Sequence, residues 1–399
     1  MISISISPNI EKDDLFLTLR LIFQPSKWKK GDKEEELKGL IKEYFNIPYV
    51  SLFNSGRSAL YCLLRAFNLK KKDEVLIQAF TCNALVNPIL WNNLTPVYVD
   101  IDSNLNIDPL DLRKKITTNS KILIVQHTFG NPCKMEEILK VVKENNLILI
   151  EDCAHSLGAE YKGQKIGTFG KASFLSFSRD KVISSVYGGA ILIKDKELAE
   201  KILELDYPSN FWTFQQLLHP LLIKLIIPCY NFLGKALLIF FQRLHILSKA
   251  VSYEEKQGKK PKYFPKKMPN AIACLACNQF KKLDKFYLHR KKISEIYSKE
   301  LGVSYLEKDV KKTYLRFIFF HEKAHEIIRK FWKRNILIGD WYTSPIAPPD
   351  TNLERMKYKL GSCKKAEKYA KKTLNLPTHI NISKKQAKYI VSILRELIK

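Results

Sequence analysis

The sequence has few of the features that mark metal-binding or secreted proteins. Its eight cysteines include one CxxC pair, Cys274 and Cys277, but no second cysteine or histidine pair at the spacing of a zinc site. The pair lies in "NAIACLACNQF", which reads as a helix. We therefore expect no metal ion, and thiols buried in a reducing cytoplasm. The first residues, "MISISISPNIEKDD", lack a basic stretch followed by a long apolar one, so we expect no secretory signal.

An uninterrupted apolar run of membrane-spanning length is also missing. The nearest candidate is 217–241, "LLHPLLIKLIIPCYNFLGKALLIFF", which contains Pro220, Lys224, Pro228 and Lys235. The prolines remove helix hydrogen bonds, and each central lysine costs roughly 2.5–3.5 kcal/mol in hydrocarbon. The segment instead predicts a pair of short apolar helices. They either pack on the core of a dimer or lie on a membrane surface through residues 212–245, with lysines near anionic headgroups.

Acidic residues are scarce relative to basic ones. The 67 lysines and arginines exceed the 40 acidic residues, which gives a net charge of +27. This balance favours a polyanionic partner such as a phosphorylated substrate, an acidic membrane surface or a nucleic acid. The alternative is a lysine-rich composition spread over solvated faces. No RNA- or DNA-binding motif is present, so we expect no specific nucleic acid.

Short apolar runs alternate with helical patterns between residues 57 and 205. This alternation predicts an α/β fold with a mostly parallel sheet, whose ligand site lies at the carboxyl ends of its strands. One intervening helix is predicted at 134–146. The predicted strands are "EVLIQ" (74–78), "PVYVD" (96–100), "KILIVQ" (121–126), "LILIE" (147–151), "ASFLSF" (172–177) and "GAILIK" (189–194).

The C-terminal part has the pattern of a smaller α+β unit. It contains a strand in "LRFIFFH", a helix in "EKAHEIIRKFWKRN" and a terminal helix in "SKKQAKYIVSILRELIK". We therefore predict a large domain at 1–265, with an apolar helical insertion at about 206–255, and a small α+β domain at 266–399.

Three motifs in this framework can serve one site. The turn in "NSGRSALYCLL" (54–64) runs into an apolar helix, whose first N–H groups and dipole suit a phosphate. In "LILIEDCAHSLGA" a buried strand ends with Glu151 and Asp152, and His155 follows three residues later. Lys181 stands in a polar break in "SFSRDKVISSVYGG" (176–189). Each motif alone is compatible with an ordinary cap or a solvated residue. Together they meet three needs of pyridoxal phosphate: a phosphate cradle, a carboxylate for the ring nitrogen and a nucleophilic lysine.

The same runs resemble the DegT/DnrJ/EryC1/StrS family of pyridoxal-phosphate sugar aminotransferases, of aspartate-aminotransferase fold type I. The similarity covers about residues 35–205 and 262–395. It is carried by "NSGRSAL", "DEVLIQAFTCNALVNPILWNNLTPVYVDID", "HTFGNP", "LILIEDCAHSLGAEYKGQKIGTFG", "SFSRDKVISSVYGGAIL" and "KTLNLPTH".

The resemblance implies a role for each matched residue. Lys181 would attach the cofactor as a Schiff base and then shuttle a proton, and Asp152 would keep the pyridine nitrogen protonated. His155 would lie beside the phenolic oxygen. Cys82 stands where an aromatic ring often stacks on the cofactor, and Phe80 is a neighbouring candidate for that contact. The positions implied to bind the phosphate are Gly56, Arg57, Ser58 and Ser176.

The activity implied is transfer of an amino group, typically from glutamate, to a nucleotide-linked keto-sugar by a homodimer in the cytoplasm. Pro265 occupies the position from which many relatives extend an asparagine to the partner subunit's phosphate. One alternative is another pyridoxal-phosphate enzyme, such as a sugar dehydratase relative, although those have histidine in place of the lysine. A second alternative is a non-catalytic protein on the same fold that binds a membrane surface or nucleic acid.

Overall fold

The computed structural model of the chain describes residues 1–303 and 309–398. Strands β1 to β16 of this described part are, in chain order, Ile2–Ser3, Tyr49–Phe53, Glu74–Gln78, Thr81–Cys82, Thr95–Val99, Ser120–Gln126, Ile148–Asp152, Glu160–Tyr161, Gln164–Lys165, Ala172–Ser176, Gly189–Ile193, Val310–Lys311, Arg316–Phe320, Ile336–Leu337, Ile346–Ala347 and Thr373–Pro377. Helices α1 to α15 are Lys12–Ile22, Lys33–Phe45, Gly56–Ala66, Asn83–Trp91, Pro109–Lys115, Met135–Glu144, Lys196–Glu200, Asn210–Ile226, Lys235–Arg243, Tyr253–Lys256, Asn270–Phe280, Leu283–Leu301, Ala324–Lys333, Lys364–Lys372 and Lys384–Ile398.

A seven-stranded sheet forms the centre of the large unit, in the order β2-β11-β10-β7-β6-β3-β5. All neighbours are parallel except β11, which runs antiparallel to both β10 and β2. The six predicted strands are confirmed, with ends shifted by at most one residue. The edge strand β2 was not predicted.

Apolar clusters cover both faces of this sheet, as parallel strands require. One cluster joins Leu76, Leu123 and Leu149 to helices α2, α6 and α11. The other joins Val75 and Ile77 to helices α3 and α4. Because both faces are covered, polar side chains concentrate at the strand ends, where the sheet can hold a ligand.

The C-terminal unit packs helices on a pair of strands. Strands β13 and β16 form a two-stranded antiparallel sheet rather than a hairpin, because helices α13 and α14 lie between them in the chain, and helices α12, α13 and α15 share one apolar cluster with them. The predicted strand and two helices are thus present, although Lys399 of the terminal helix lies outside the described residues. The division at residue 265 stays a prediction. Helix α11, beyond it, packs on α2 in the large unit, whereas β1 pairs with β14 of the C-terminal unit.

The helical insertion forms two apolar helices, as predicted. Helix α8 spans Asn210–Ile226 with Pro220 inside it, and α9 spans Lys235–Arg243 after a π-helical turn at Tyr230–Gly234. Leu217 on α8 packs against the chain's own α1 and α11. Within residues 1–303 and 309–398, no helix combines the length and the apolar character needed to cross a bilayer.

Candidate active site

The turn before α3 lies at the end of β2. Ser55 is extended, with φ −165° and ψ 161°, and its hydroxyl accepts a hydrogen bond of 3.0 Å from the Ser58 amide. Gly56 starts the helix directly against Ser176, since a Cβ on this glycine would lie 3.0 Å from the Ser176 Cβ. The first amides of α3 and the Ser176 side chain therefore converge, in an arrangement suited to phosphate.

The double glycine that follows the Lys181 loop brings β11 against this turn. A Cβ on Gly189 would lie 2.5 Å from the Gly56 nitrogen, so only glycine allows the strand to approach this closely. Gly188 has φ +140°, and a Cβ there would lie 2.9 Å from the Ser185 hydroxyl. The two glycines thus allow β11 to pack directly against the turn before α3.

Asp152 ends β7 beneath the same cavity. Its register partners are Gln126 on β6 and Phe174 on β10, and one carboxylate oxygen accepts a 2.9 Å hydrogen bond from the Ala154 amide. Burial raises the pKa of this carboxyl, while the Ala154 amide and the Lys181 cation act in the opposite direction. A positive group on a ligand would stabilise the ionised carboxylate further.

Lys181 is held by its backbone in a short turn. Its carbonyl accepts a 2.8 Å hydrogen bond from the Asn9 side chain, and its amide donates to the Ser178 carbonyl over 3.1 Å. The Nζ atom lies 4.9 Å from the centre of the Trp341 ring. Burial lowers the pKa of Lys181 to about 8, whereas Asp152 raises it. A substantial fraction of this amine is therefore neutral, and nucleophilic, near neutral pH.

His155 lies between two aromatic rings. Its ring centre is 5.8 Å from that of Phe129 and 5.4 Å from that of Trp341, and both pairs are stacked. Its Nδ1 accepts a hydrogen bond from the Phe129 amide. Burial, with the nearby Lys181 and Arg316 cations, lowers the pKa of His155 well below its usual range. The imidazole is therefore neutral, and Nδ1 is its acceptor.

One cavity gathers seven of the eight predicted residues. The exception is Ser58, which is fully buried and donates its hydroxyl to Asn54 over 2.6 Å, so its side chain does not reach the cavity. The predicted residues in the lining are Gly56, Arg57, Cys82, Asp152, His155, Ser176 and Lys181.

Arg57 makes a contact that the sequence did not suggest. Its guanidinium forms a fully buried ion pair with Glu255 on α10 of the helical insertion. It also lies 4.5 Å from the centre of the Phe264 ring, next to Pro265. Pro265 itself is not among the residues that line the cavity. The insertion therefore reaches the phosphate end of the site within one chain.

The aromatic contacts differ from the sequence interpretation. Phe80 is fully buried and does not line the cavity, because its ring packs edge-on against Phe129 and Tyr342. The interpretation of Phe80 as a stacking candidate is therefore wrong. Trp341 and Tyr342 line the cavity instead, and Cys82 also lines it. The run "DWYTSP" offered two aromatics in a loop as its only signal.

Other lining residues were also missed by the sequence analysis. Arg179 stands two positions before Lys181, and Ala250 and Val251 come from the helical insertion. Thr81 and Gln126 occupy strand ends and hydrogen-bond each other over 2.6 Å. Of these residues, only Arg179 had a signal in the sequence, which was its position next to the Lys181 motif.

Known proteins are similar to this chain over part or most of its length. The model of the DegT/DnrJ/EryC1/StrS aminotransferase family matches residues 9–227 and 240–395. GDP-perosamine synthase of Escherichia coli O157:H7 is 27% identical over 92% of this chain and 90% of that protein. A dTDP-3-amino-3,6-dideoxy-alpha-D-galactopyranose transaminase of Aneurinibacillus thermoaerophilus is 37% identical over 43% of this chain and 48% of that protein.

Solved structures show the same fold. The Helicobacter pylori aminotransferase PseC, involved in the biosynthesis of pseudoaminic acid, superposes with a TM-score of 0.75 at 22% identity, over 100% of this chain and 99% of that one. DesV of S. venezuelae superposes with a TM-score of 0.74 at 21% identity, over 97% and 94%. With the family model matching nearly the whole sequence, the chain belongs to the DegT/DnrJ/EryC1/StrS aminotransferases, which are pyridoxal-phosphate enzymes.

Proposed function

We propose that this aminotransferase moves an amino group from an amino acid, with glutamate as the expected donor, to a nucleotide-linked keto-sugar. The observation that carries the proposal is the convergence of Lys181, Asp152 and His155 with the α3 turn on one cavity. The names of the relatives, GDP-perosamine synthase and a dTDP-amino-sugar transaminase, support a nucleotide sugar as acceptor.

The residues present fit pyridoxal phosphate. The α3 amides, Ser176 and Arg57 would hold the phosphate, Asp152 would accept a hydrogen bond from the protonated ring nitrogen, and Lys181 would attach the cofactor. When bound, the cofactor supplies an electron sink for the carbon that bears the amino group.

The side chains around the cofactor site have separate roles. Lys181 is neutral to a substantial extent near pH 8, so its Nζ can accept a proton from a substrate carbon and return it to another atom. The ionised Asp152 carboxylate would keep the cofactor's ring nitrogen protonated, because the two opposite charges stabilise each other. His155, held neutral between Phe129 and Trp341, would help to orient the cofactor.

Two alternatives find less support. Dehydratase relatives have histidine where this chain has Lys181, and a non-catalytic protein would not need Lys181 and Asp152 in one buried cavity.

Transfer of ¹⁵N tests the proposed reaction directly. The holoenzyme is incubated with ¹⁵N-glutamate and a panel of nucleotide keto-sugars, and the products are analysed by mass spectrometry. We expect a labelled amino sugar with wild-type protein and with Lys171→Ala, an exposed lysine, but none with Lys181→Ala. If no member of the panel gains label, the proposed acceptor class is wrong.

We also propose a cytoplasmic homodimer. Eight cysteines without a disulfide suit a reducing compartment. The resemblance implies that each active site is built at a subunit interface. Sedimentation of the holoenzyme at micromolar concentration should give a dimer, and a stable, active monomer would contradict this.

The helical insertion is further proposed to contact an anionic membrane surface through residues 212–245. Phe232 is 88% exposed, Leu233 68% and Leu225 64%, and the neighbouring Lys224 and Lys235 are exposed cations. Exposed apolar side chains with basic neighbours suit the headgroup region of an anionic bilayer. The most exposed of these residues fall in 228–239, which the family model leaves unmatched.

Flotation with phosphatidylserine liposomes tests the membrane contact. We expect binding at low salt that weakens at high salt, and loss of binding in the double variant Phe232→Ser, Leu233→Ser. The control is Leu110→Ser, since Leu110 is 68% exposed but lies outside the insertion. Wild-type protein that fails to float at low salt would refute the contact.

A further inference from the structure

A second cavity adjoins the active-site cavity on the side of the helical insertion. The two share Arg179, Asp180 and Ala250 in their linings. The second cavity measures about 210 Å³, and His219, Gln242 and Ser248 also line it. An extended substrate in the first cavity could therefore continue into the second past Arg179.

Arg179 is a buried cation without a charged partner. It is 8% exposed, and no carboxylate of residues 1–303 and 309–398 forms an ion pair with it. Its Nη2 donates to the Ser248 hydroxyl over 2.6 Å, while its Nε has no hydrogen-bond partner among the described residues. The nearby Arg57 is by contrast neutralised by Glu255.

The adjacent carboxylate does not remove this imbalance. Asp180 follows Arg179 in sequence and lines both cavities, but its strongest charged neighbour is Arg316, with Arg179 second. A buried charge is stabilised by pairing with an opposite charge, so an anion bound beside the Arg179 guanidinium would stabilise it.

His219 is the second independent observation. It is 2% exposed, it lines the second cavity, and neither ring nitrogen has a hydrogen-bond partner among the described residues. Burial and the Arg179 cation lower the pKa of His219 well below its usual range. A neutral imidazole donates one N–H and accepts at the other nitrogen, so it can bind an oxyanion and a hydroxyl at once.

We propose that Arg179 and His219 form a binding site for an oxyanion of the substrate. This inference rests on the proposed function, and it makes the helical insertion part of the substrate site. A guanidinium beside an imidazole N–H suits phosphate or carboxylate oxygens, while the Ser248 hydroxyl, which donates to Gln216 over 2.8 Å, positions the guanidinium by accepting from it. The anion is either a phosphate of the nucleotide sugar or a carboxylate of the amino donor.

The test uses the holoenzyme and two non-reacting probes in isothermal titration. Inorganic pyrophosphate represents the nucleotide diphosphate, and glutarate represents the donor dicarboxylate. Arg179→Met should weaken one of the two probes by at least tenfold, Arg179→Lys by less, and His219→Phe by severalfold. Arg243→Met, an exposed arginine on α9 that lines neither cavity, should leave both affinities within twofold.

The result also separates the sources of the anion. Loss confined to pyrophosphate identifies the nucleotide sugar, and loss confined to glutarate identifies the amino donor. Unchanged affinity for both probes in Arg179→Met and Arg179→Lys overturns the proposal. The proposal is also overturned if Arg179→Met changes only how strongly the apoenzyme prefers pyridoxal phosphate over pyridoxal. The anion would then be the cofactor's own phosphate.

A failure of the proposed function would look different. If wild-type enzyme gives no labelled amino sugar but Arg179→Met still loses probe affinity, then the reaction is wrongly assigned and the oxyanion site stands. Circular dichroism of each variant confirms that the titrated protein is folded.

Discussion

The lowered pKa of Lys181 leads to a quantitative prediction about the reactivity of its amine. Burial reduces this pKa from 10.5 to about 8. At pH 7.5 about a quarter of the amine is then neutral, against about one part in a thousand for an ordinary lysine. Lys181 in the apoenzyme should therefore react a few hundredfold faster than its exposure alone suggests.

Reductive methylation with limiting ¹³C-formaldehyde, followed by mass spectrometry of peptides, measures this between pH 6 and 11. Below pH 8 the rate at Lys181 should rise tenfold per pH unit, and above pH 8 it should level off. The exposed Lys171 is the internal control for reagent access. Asp152→Asn should move the Lys181 midpoint lower, because the Asp152 charge raises this pKa. A Lys181 midpoint near 10.5 would show that burial does not lower the pKa of this amine.

Three further predictions follow from buried contacts. Glu255→Ala leaves its guanidinium partner buried and unpaired, so the free energy of unfolding should fall by roughly 3–5 kcal/mol in urea titration, while the exposed Glu254→Ala should change it by less than about 0.5 kcal/mol. Gly189→Ala forces a Cβ into the α3 turn and should cost about 1–3 kcal/mol and weaken binding of pyridoxal phosphate, whereas Gly39→Ala meets open space in a helix and should be neutral or stabilising. Asp152→Ala should still bind the cofactor, as judged by absorbance, but should transfer amino groups several orders of magnitude more slowly; near-normal turnover would exclude its role.

The sequence was sufficient for six of the seven strands of the large sheet and for the residues at their ends. Buried parallel strands are continuous apolar runs, so each strand was visible, and Asp152 and Lys181 follow directly from where β7 and β10 end. The edge strand β2, "YVSLF", was not predicted, although it has the same length as β3 and β7. Local patterns thus located the half of the site that the large sheet builds.

The other half depends on chain segments that return from far along the sequence. Trp341 reaches the cavity from a loop of the C-terminal unit, 160 positions after Lys181, and no periodicity in the sequence indicates that path. The pairing of Arg57 with Glu255 joins residues 198 positions apart. The Ser58 side chain stays out of the cavity for a more local reason, because its hydroxyl donates to Asn54 within the turn.

Reduction of the holoenzyme with borohydride, followed by peptide mapping, shows directly which lysine carries the cofactor. Reduction should abolish the cofactor's visible absorbance and leave one pyridoxyl label, on Lys181. The Lys181→Ala variant should take up no label, while Lys171→Ala should label normally. Label on another lysine of the wild-type protein, or no label at all, would contradict the assignment of this cavity as the pyridoxal-phosphate site.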